Sequence, residues 1–276
     1  MPRIDAHQHF WIFDPVRDNW ITDDMSLIRK DFLPADLEPV LSDNGFDGCV
    51  TIQSDQSEQE NIFQLAHAEK HDFIKGVVGW IDLQAEDVAA KLDYYCQFKK
   101  LKGFRHILQG ETQRDFMLNP EFLRGVQALK EFNYTYDILI YPDQLGFTKQ
   151  FVAQLPGQKF VIDHLAKPYI KEKKIDKWKS DIEQVAQYEN VCCKISGYIT
   201  EADLKTWKKE DFIPYFDIAV NAFGTDRILY GSDWPVCLLG GNYGTVVNVA
   251  KEYFSSYTQD EQDNIFGNNA IGFYNL

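Results

Sequence analysis

The amino-acid sequence predicts an α/β chain folded as one (β/α)8 TIM-like barrel over residues 1–276, with the active site at the C-terminal ends of the strands. Three features predict it. Eight short apolar or β-branched runs recur along the chain, the intervals between them carry helical patterning, and several runs end in histidine, arginine or aspartate.

The runs are Arg3–His9, Gly48–Gln53, Ile74–Trp80, Leu101–His106, Thr135–Ile140, Lys159–His164, Val191–Ser196 and Arg227–Asp233. Their starts lie 24 to 45 residues apart, and a strand–helix–strand unit needs about 30. In the intervals, Ile62, Leu65, Ala66 and Glu69 follow helical spacing, and Val88, Ala89, Leu92, Tyr95 and Phe98 draw a second stripe. Asn119-Pro120 reads as an N-cap followed by proline at the first helical position, with Phe122, Val126 and Leu129 behind it. Thr258 to Glu261 matches a capping box that opens a late helix. No Gly-x-Gly-x-x-Gly follows the first strand, which favours a barrel over a doubly wound sheet.

Composition narrows the function. Twenty Phe, fourteen Tyr and six Trp supply a large core, which excludes disorder. With 42 acidic against 28 basic residues and a net charge of −14, the chain has no polybasic face for nucleic acid or an anionic membrane. No apolar run approaches the roughly 18 residues that span a bilayer. Met1 leads straight into a strand without a charged-then-apolar leader, and the five cysteines form no Cys-x-x-Cys. Cys192 and Cys193 are neighbours on a strand and point to opposite faces, as packed thiols do. The expected compartment is the reducing cytoplasm.

The strand ends carry the chemistry. Four of the six histidines fall there: His7 and His9 on the first strand, His106 beside Arg105 on the fourth, and His164 on the sixth. His7 and His9, two apart, face the same way and suit two ligands of one metal or two donors to one substrate oxygen. Asp233 closes an apolar strand after Gly231, where a carboxylate can approach a reacting centre and act as general base. His164 could ligate a metal, polarise a carbonyl or hydrogen-bond to Asp233.

These pieces resemble the amidohydrolase superfamily, in its branch of sugar-lactone and related lactone hydrolases. The matching segments are Ile4–Trp11, Gly103–His106, Ile162–Pro168, Lys194–Gly197 and Tyr230–Pro235, with Asn268-Asn269-Ala270 and Phe273-Tyr274 in the tail. The resemblance spans the chain and implies hydrolysis of a cyclic ester, an aldonolactone such as L-fuconolactone or L-rhamnonolactone. It implies that Asp233 activates water, that His7, His9 and His164 surround the carbonyl, and that Arg105 and His106 hold ring oxygens or the developing oxyanion. The fifth strand ends without the histidine common in metal-dependent relatives, so a binuclear centre is not expected. One Zn2+ or other divalent ion on His7, His9 and Asp233 is compatible with the residues, and so is a metal-free site; no organic cofactor is implied. Sugar lactones are activated esters, and a general base worth about 10²–10⁴ with oxyanion donors worth about 10²–10³ each can suffice.

The expected partner is a small sugar lactone, with the oligomeric state open, a homodimer included. Trp11, with Trp20 and Trp234, stands where an aromatic could stack on a sugar, and Lys167 could neutralise a substrate carboxylate. Lys194 and Ser196 share a strand face, and at least one is expected to reach the pocket. The His67/His71 pair lacks the His-Glu-x-x-His order and reads as a solvated helix face, and Lys171–Lys174 as a loop or lid. Two rival functions remain: a metal-dependent decarboxylase of an unsaturated or aromatic acid on the same fold, and a barrel that binds a sugar acid without turnover.

Overall fold

A computed structural model describes residues 1–276. Eight parallel strands follow one another around a single sheet: β1 (Ile4–Gln8), β2 (Gly48–Ile52), β3 (Ile74–Gly79), β4 (Leu101–His106), β5 (Thr135–Ile138), β6 (Phe160–Ile162), β7 (Val191–Ile195) and β8 (Ile228–Tyr230). The main helices between them are α1 (Pro34–Asp43), α2 (Glu58–Lys70), α3 (Val88–Tyr95), α4 (Pro120–Glu131), α5 (Leu145–Gln154), α6 (Asp176–Val185) and α7 (Ile213–Phe223). After β8 come α8 (Tyr243–Phe254), α9 (Gln259–Asp263) and α10 (Asn269–Tyr274). The architecture is the (β/α)8 barrel that the strand spacing predicts.

The ring closes through the residues after β8. His9 donates its backbone N–H to the Trp234 carbonyl at 2.7 Å, and Asp233 donates to the His7 carbonyl at 2.8 Å. Closure therefore sets the two predicted catalytic segments side by side. Gly231 makes the approach possible, because a Cβ there would come within 2.6 Å of the His7 Cβ.

Two apolar layers hold the barrel. The larger lies between sheet and helices; the smaller fills the lumen with Ile4, Ala6, Val50, Ile52, Val161 and Leu229, closed from below by Phe273 and Tyr274 of α10. Cys193 packs in the outer layer and Cys192 against the inner one, the opposite-face arrangement that strand geometry requires.

Local signals played out unevenly. Thr258 forms the capping box with Glu261, and Pro120 opens α4. The Asn119 side chain, however, accepts from Gln113 rather than capping α4. On α2 the buried face is Asn61, Gln64, Leu65 and Ala68, while Ile62 is 63% exposed. Two buried amides decide that rotation: Asn61 exchanges hydrogen bonds with the Trp80 backbone, and Gln64 donates to the Phe10 carbonyl.

Candidate active site

A β-bulge in β1 aims the first two histidines. Asp5 pairs with Cys49 and Gln8 with Thr51, so β1 holds one residue more than β2 over that stretch. Asp5 and Gln8 reach outward, to Tyr243 and to Thr51 respectively. Ala6 packs in the lumen and His7 meets Lys194 of β7 there. The buried Asp5, not singled out in the sequence, accepts from the backbone N–H groups of His7 and Ser232 and from the Tyr243 hydroxyl. Burial raises its carboxyl to about 6 against those bonds, and the contacts fasten β1 to the segment that carries Asp233.

His164 and Asp233 stand beyond the ends of their strands. From His164 to Lys167 four consecutive non-glycine residues take left-handed φ values of 50–57°, and Asp233 takes 59°. Each such residue costs about 1–2 kcal/mol, so the surroundings must hold them. Lys167 donates its N–H to the His164 carbonyl at 2.7 Å, the Trp178 indole donates to the Leu165 carbonyl at 2.7 Å, and Leu165 and Ala166 are buried. The His164 ring lies against Gly197, where an added Cβ would fall 2.5 Å from Nδ1. That same Nδ1 lies 2.9 Å from Ser196 Oγ.

The result is a cluster about one carboxylate oxygen. Asp233 Oδ1 lies 3.3 Å from His9 Nε2, 3.7 Å from His7 Nε2 and 3.9 Å from His164 Nε2. Burial lowers the basicity of His7 well below the usual histidine range and that of His164 to about 4, so both imidazoles are uncharged at neutral pH. Burial alone would raise Asp233, yet His164, His9 and His7 hold its carboxyl below the ordinary carboxylate range. The site thus pairs an ionised carboxylate with neutral imidazoles.

The donor set fits a divalent transition ion. His7, His164 and Asp233 bring one ligand atom each within 4.8 Å of one another. His9 Nε2 adds a fourth, 3.2 Å from His7 Nε2. A tetrahedral zinc with bonds near 2.0–2.1 Å separates its ligand atoms by about 3.4 Å. His9 Nδ1 faces the Ile52 carbonyl at 2.8 Å, which leaves Nε2 turned toward Asp233.

His9, Arg105, His164, Lys167 and Asp233 line a cavity of about 360 Å3 at the C-terminal mouth of the barrel. Asn19, Trp20, Asp55 and Gln109 line its outer part. A larger hollow of about 530 Å3, lined by Lys171, Glu172, Asp203 and Lys205 among others, contains none of the strand-end residues.

Four of the sequence expectations are redirected by this geometry. His7 is wholly buried and lies behind the cavity, against His9, His164 and Lys194. His106 points outward: its ring stacks on Phe116 and bonds Glu111 and the Trp80 indole, because side chains alternate along β4 and Arg105 takes the inward position. Trp11 is buried with its indole bonded to the Lys30 carbonyl and supports Trp20 edge-on, so Trp20 is the aromatic that faces the cavity. Lys194 and Ser196 both stop beneath the floor, Ser196 on His164 and Lys194 between Asp137 and Asp163 at 2.6 and 3.0 Å.

That buried group underlies the site. Arg105 bonds Asp163 at 3.0 Å and also the Gln53 carbonyl, and Asp163 lies 3.3 Å from His7 Nδ1. Burial opposes ionisation of Asp163, but Lys194, His7 and Arg105 hold it well below the usual carboxylate range. Asp137, raised to about 6 by burial in spite of Lys194, also accepts from the Tyr274 hydroxyl at 2.7 Å.

Known proteins bear on this site. A family model described as Amidohydrolase matches residues 4–276. The chain is 33% identical to an L-fucono-1,5-lactonase of Burkholderia multivorans over 99% of its own length and 96% of that protein's. It is 32% identical to an L-fucono-1,5-lactonase of Burkholderia ambifaria, with the same coverage. The crystal structure of a Burkholderia multivorans amidohydrolase with bound zinc superposes over the whole of both chains at a TM-score of 0.97 and 33% identity.

Proposed function

The chain belongs to the amidohydrolase family and hydrolyses lactones, and from that premise we propose that it opens L-fucono-1,5-lactone or a closely related L-sugar lactone, with Asp233 as the base that activates water. One observation carries the reading: an ionised carboxylate, Asp233, sits among three imidazoles at the floor of a cavity the size of a small sugar.

Asp233 Oδ1 takes a proton from water as the oxygen attacks the lactone carbonyl. The neutral His164 and the Arg105 guanidinium face the carbonyl oxygen as it gains charge, and their fixed positions spare reorganisation at that moment. Ser196 and Gly197 hold the His164 ring, while His7 stands behind Asp233 and His9 beside it. Collapse of the tetrahedral carbon breaks the bond to the ring oxygen, and Asp233 returns the proton to that oxygen, giving the open sugar acid. A zinc ion would be held by Asp233 and the imidazoles of His7, His9 and His164; when bound it polarises the carbonyl and lowers the pKa of its water.

A pH-indicator assay over 1,4- and 1,5-lactones of L-sugars tests this, with protein as purified, chelated and zinc-supplemented. L-fucono-1,5-lactone is expected among the best substrates, and Asp233→Asn is expected to lose about 10²–10⁴ in kcat. Near-wild-type turnover by that variant would overturn the role of Asp233, and silence across the panel would overturn the substrate class.

A further inference from the structure

The charges that border the cavity are unevenly committed. Three cations reach it, and each has its own carboxylate outside the lining. Arg17 clasps Asp18 with two bonds of 2.8 and 2.9 Å, Arg105 bonds Asp163 at 3.0 Å, and Lys167 pairs with Glu201 at 3.7 Å. Lys167 also lies over the Tyr141 ring. None of Asp18, Asp163 and Glu201 lines the cavity, so each cation is neutralised from behind.

The two carboxylates in the lining are in the opposite position. Asp233 stands among the imidazoles of His9, His7 and His164 at 3.3 to 3.9 Å, with no lysine or arginine paired to it. Asp55, three residues beyond β2, has neither an ion pair nor a hydrogen bond of its own. Arg17 feels Asp55 and Glu60 as well as Asp18, so even there acids outnumber the base. The cavity therefore holds one carboxylate, Asp55, with no partner at ion-pair or hydrogen-bond distance, inside walls that focus its charge. Its other free polar groups are neutral: the side chains of Asn19, Trp20 and Gln109 have no protein hydrogen bond.

We propose that Asp55 is a charge-selecting residue, which admits neutral polyhydroxylated lactones and turns away ligands that carry a carboxylate. The inference rests on the lactonase reading and adds to it that the product leaves partly by repulsion. Substrate and product differ in this respect: the lactone is neutral, and hydrolysis releases a sugar acid ionised at neutral pH. A carboxylate at Asp55 accepts bonds from sugar hydroxyls but opposes a second anion in the same small space. Lys167, read from the sequence as a partner for a substrate carboxylate, already has Glu201 in that role.

The test compares L-fucose, a neutral sugar, with L-fuconate, its acid, by titration calorimetry on wild-type protein and Asp55→Asn at low and high salt. Wild type is expected to bind L-fucose at least tenfold more tightly than L-fuconate. Asp55→Asn is expected to narrow that ratio at least fivefold, chiefly by tightening L-fuconate. Added salt should narrow it in wild type and much less in the variant, a dependence that mere disturbance of the loop does not produce. Equal shifts of both ligands, tighter binding of the acid by wild type, or no binding of either would overturn the proposal. Because binding is read without turnover, a protein that shows this ratio but hydrolyses no lactone would refute the lactonase reading and leave the charge selection standing.

Discussion

The floor of the cavity and its rim are both rich in polar side chains; the floor's are joined to one another, while four at the rim are not. Beneath the floor, Lys194 joins Asp137 and Asp163, Asp163 joins Arg105 and His7, and Tyr274 also bonds Asp137. At the rim, the side chains of Asn19, Trp20, Asp55 and Gln109 have no hydrogen-bonded protein partner. A network of buried ion pairs fixes where its groups stand; unpartnered side chains at the rim wait for a ligand. The two regions therefore answer differently to mutation, the floor through stability and kcat, the rim through binding.

The sharpest way to break that comparison is Lys194→Met. It removes the ammonium between two buried carboxylates and leaves them facing each other in the lumen. Breaking a buried pair in this way costs about 3–5 kcal/mol. Denaturant unfolding should show a loss of that size, with a fall in melting temperature on the order of 10 °C. A change under 1 kcal/mol would mean that the lumen network is not what holds the floor.

The contrast also explains what could be read in advance. Eight strands and their order were legible because each must be apolar on two faces, and that signal survives in a single sequence. The strand ends were not. The predicted runs continue through His164 and Asp233, whereas β6 stops at Ile162 and β8 at Tyr230. Both residues take φ values near +55 to +59°, a conformation that strand periodicity cannot announce. His106 is a different case, since its parity with Phe104, which packs on Tyr95 and Tyr134, placed it on the outer face by alternation alone. Asp55 had a signal too, as a free acid just past the second strand. Nothing in the sequence marked Asn19, which reaches the cavity from the long segment after β1.

A second test bears on how the floor sets protonation. Burial lowers His164 to about 4, whereas an exposed histidine titrates near 6.5. The neutral ring is therefore kept through the range where an ordinary histidine gains its proton. As pH falls through about 4 the ring becomes cationic, draws on Asp233 and removes the base. The acid limb of kcat/KM on a neutral lactone should fall near pH 4, after correction for spontaneous hydrolysis. A limb between pH 6 and 7 would show His164 to be hydrated and its surroundings open.

The smallest effect should come from His106, which shares a motif with Arg105 yet belongs to neither region. Its bonds run to Glu111 and Trp80, and its ring is stacked on Phe116 in the layer between β4 and the helices. Replacing it with Gln keeps a donor and an acceptor in place while removing the stacked ring. The cost should be about 1 kcal/mol of stability from lost packing, with kcat and KM within about threefold of wild type. The neighbouring Arg105→Gln, by contrast, takes one of three partners from Asp163 and removes the guanidinium from the cavity lining, so it should lose at least tenfold in kcat. If the two substitutions cost the same turnover, the alternation along β4 that separates an inward arginine from an outward histidine would not govern the chemistry, and the division between floor and outer layer would have to be drawn elsewhere.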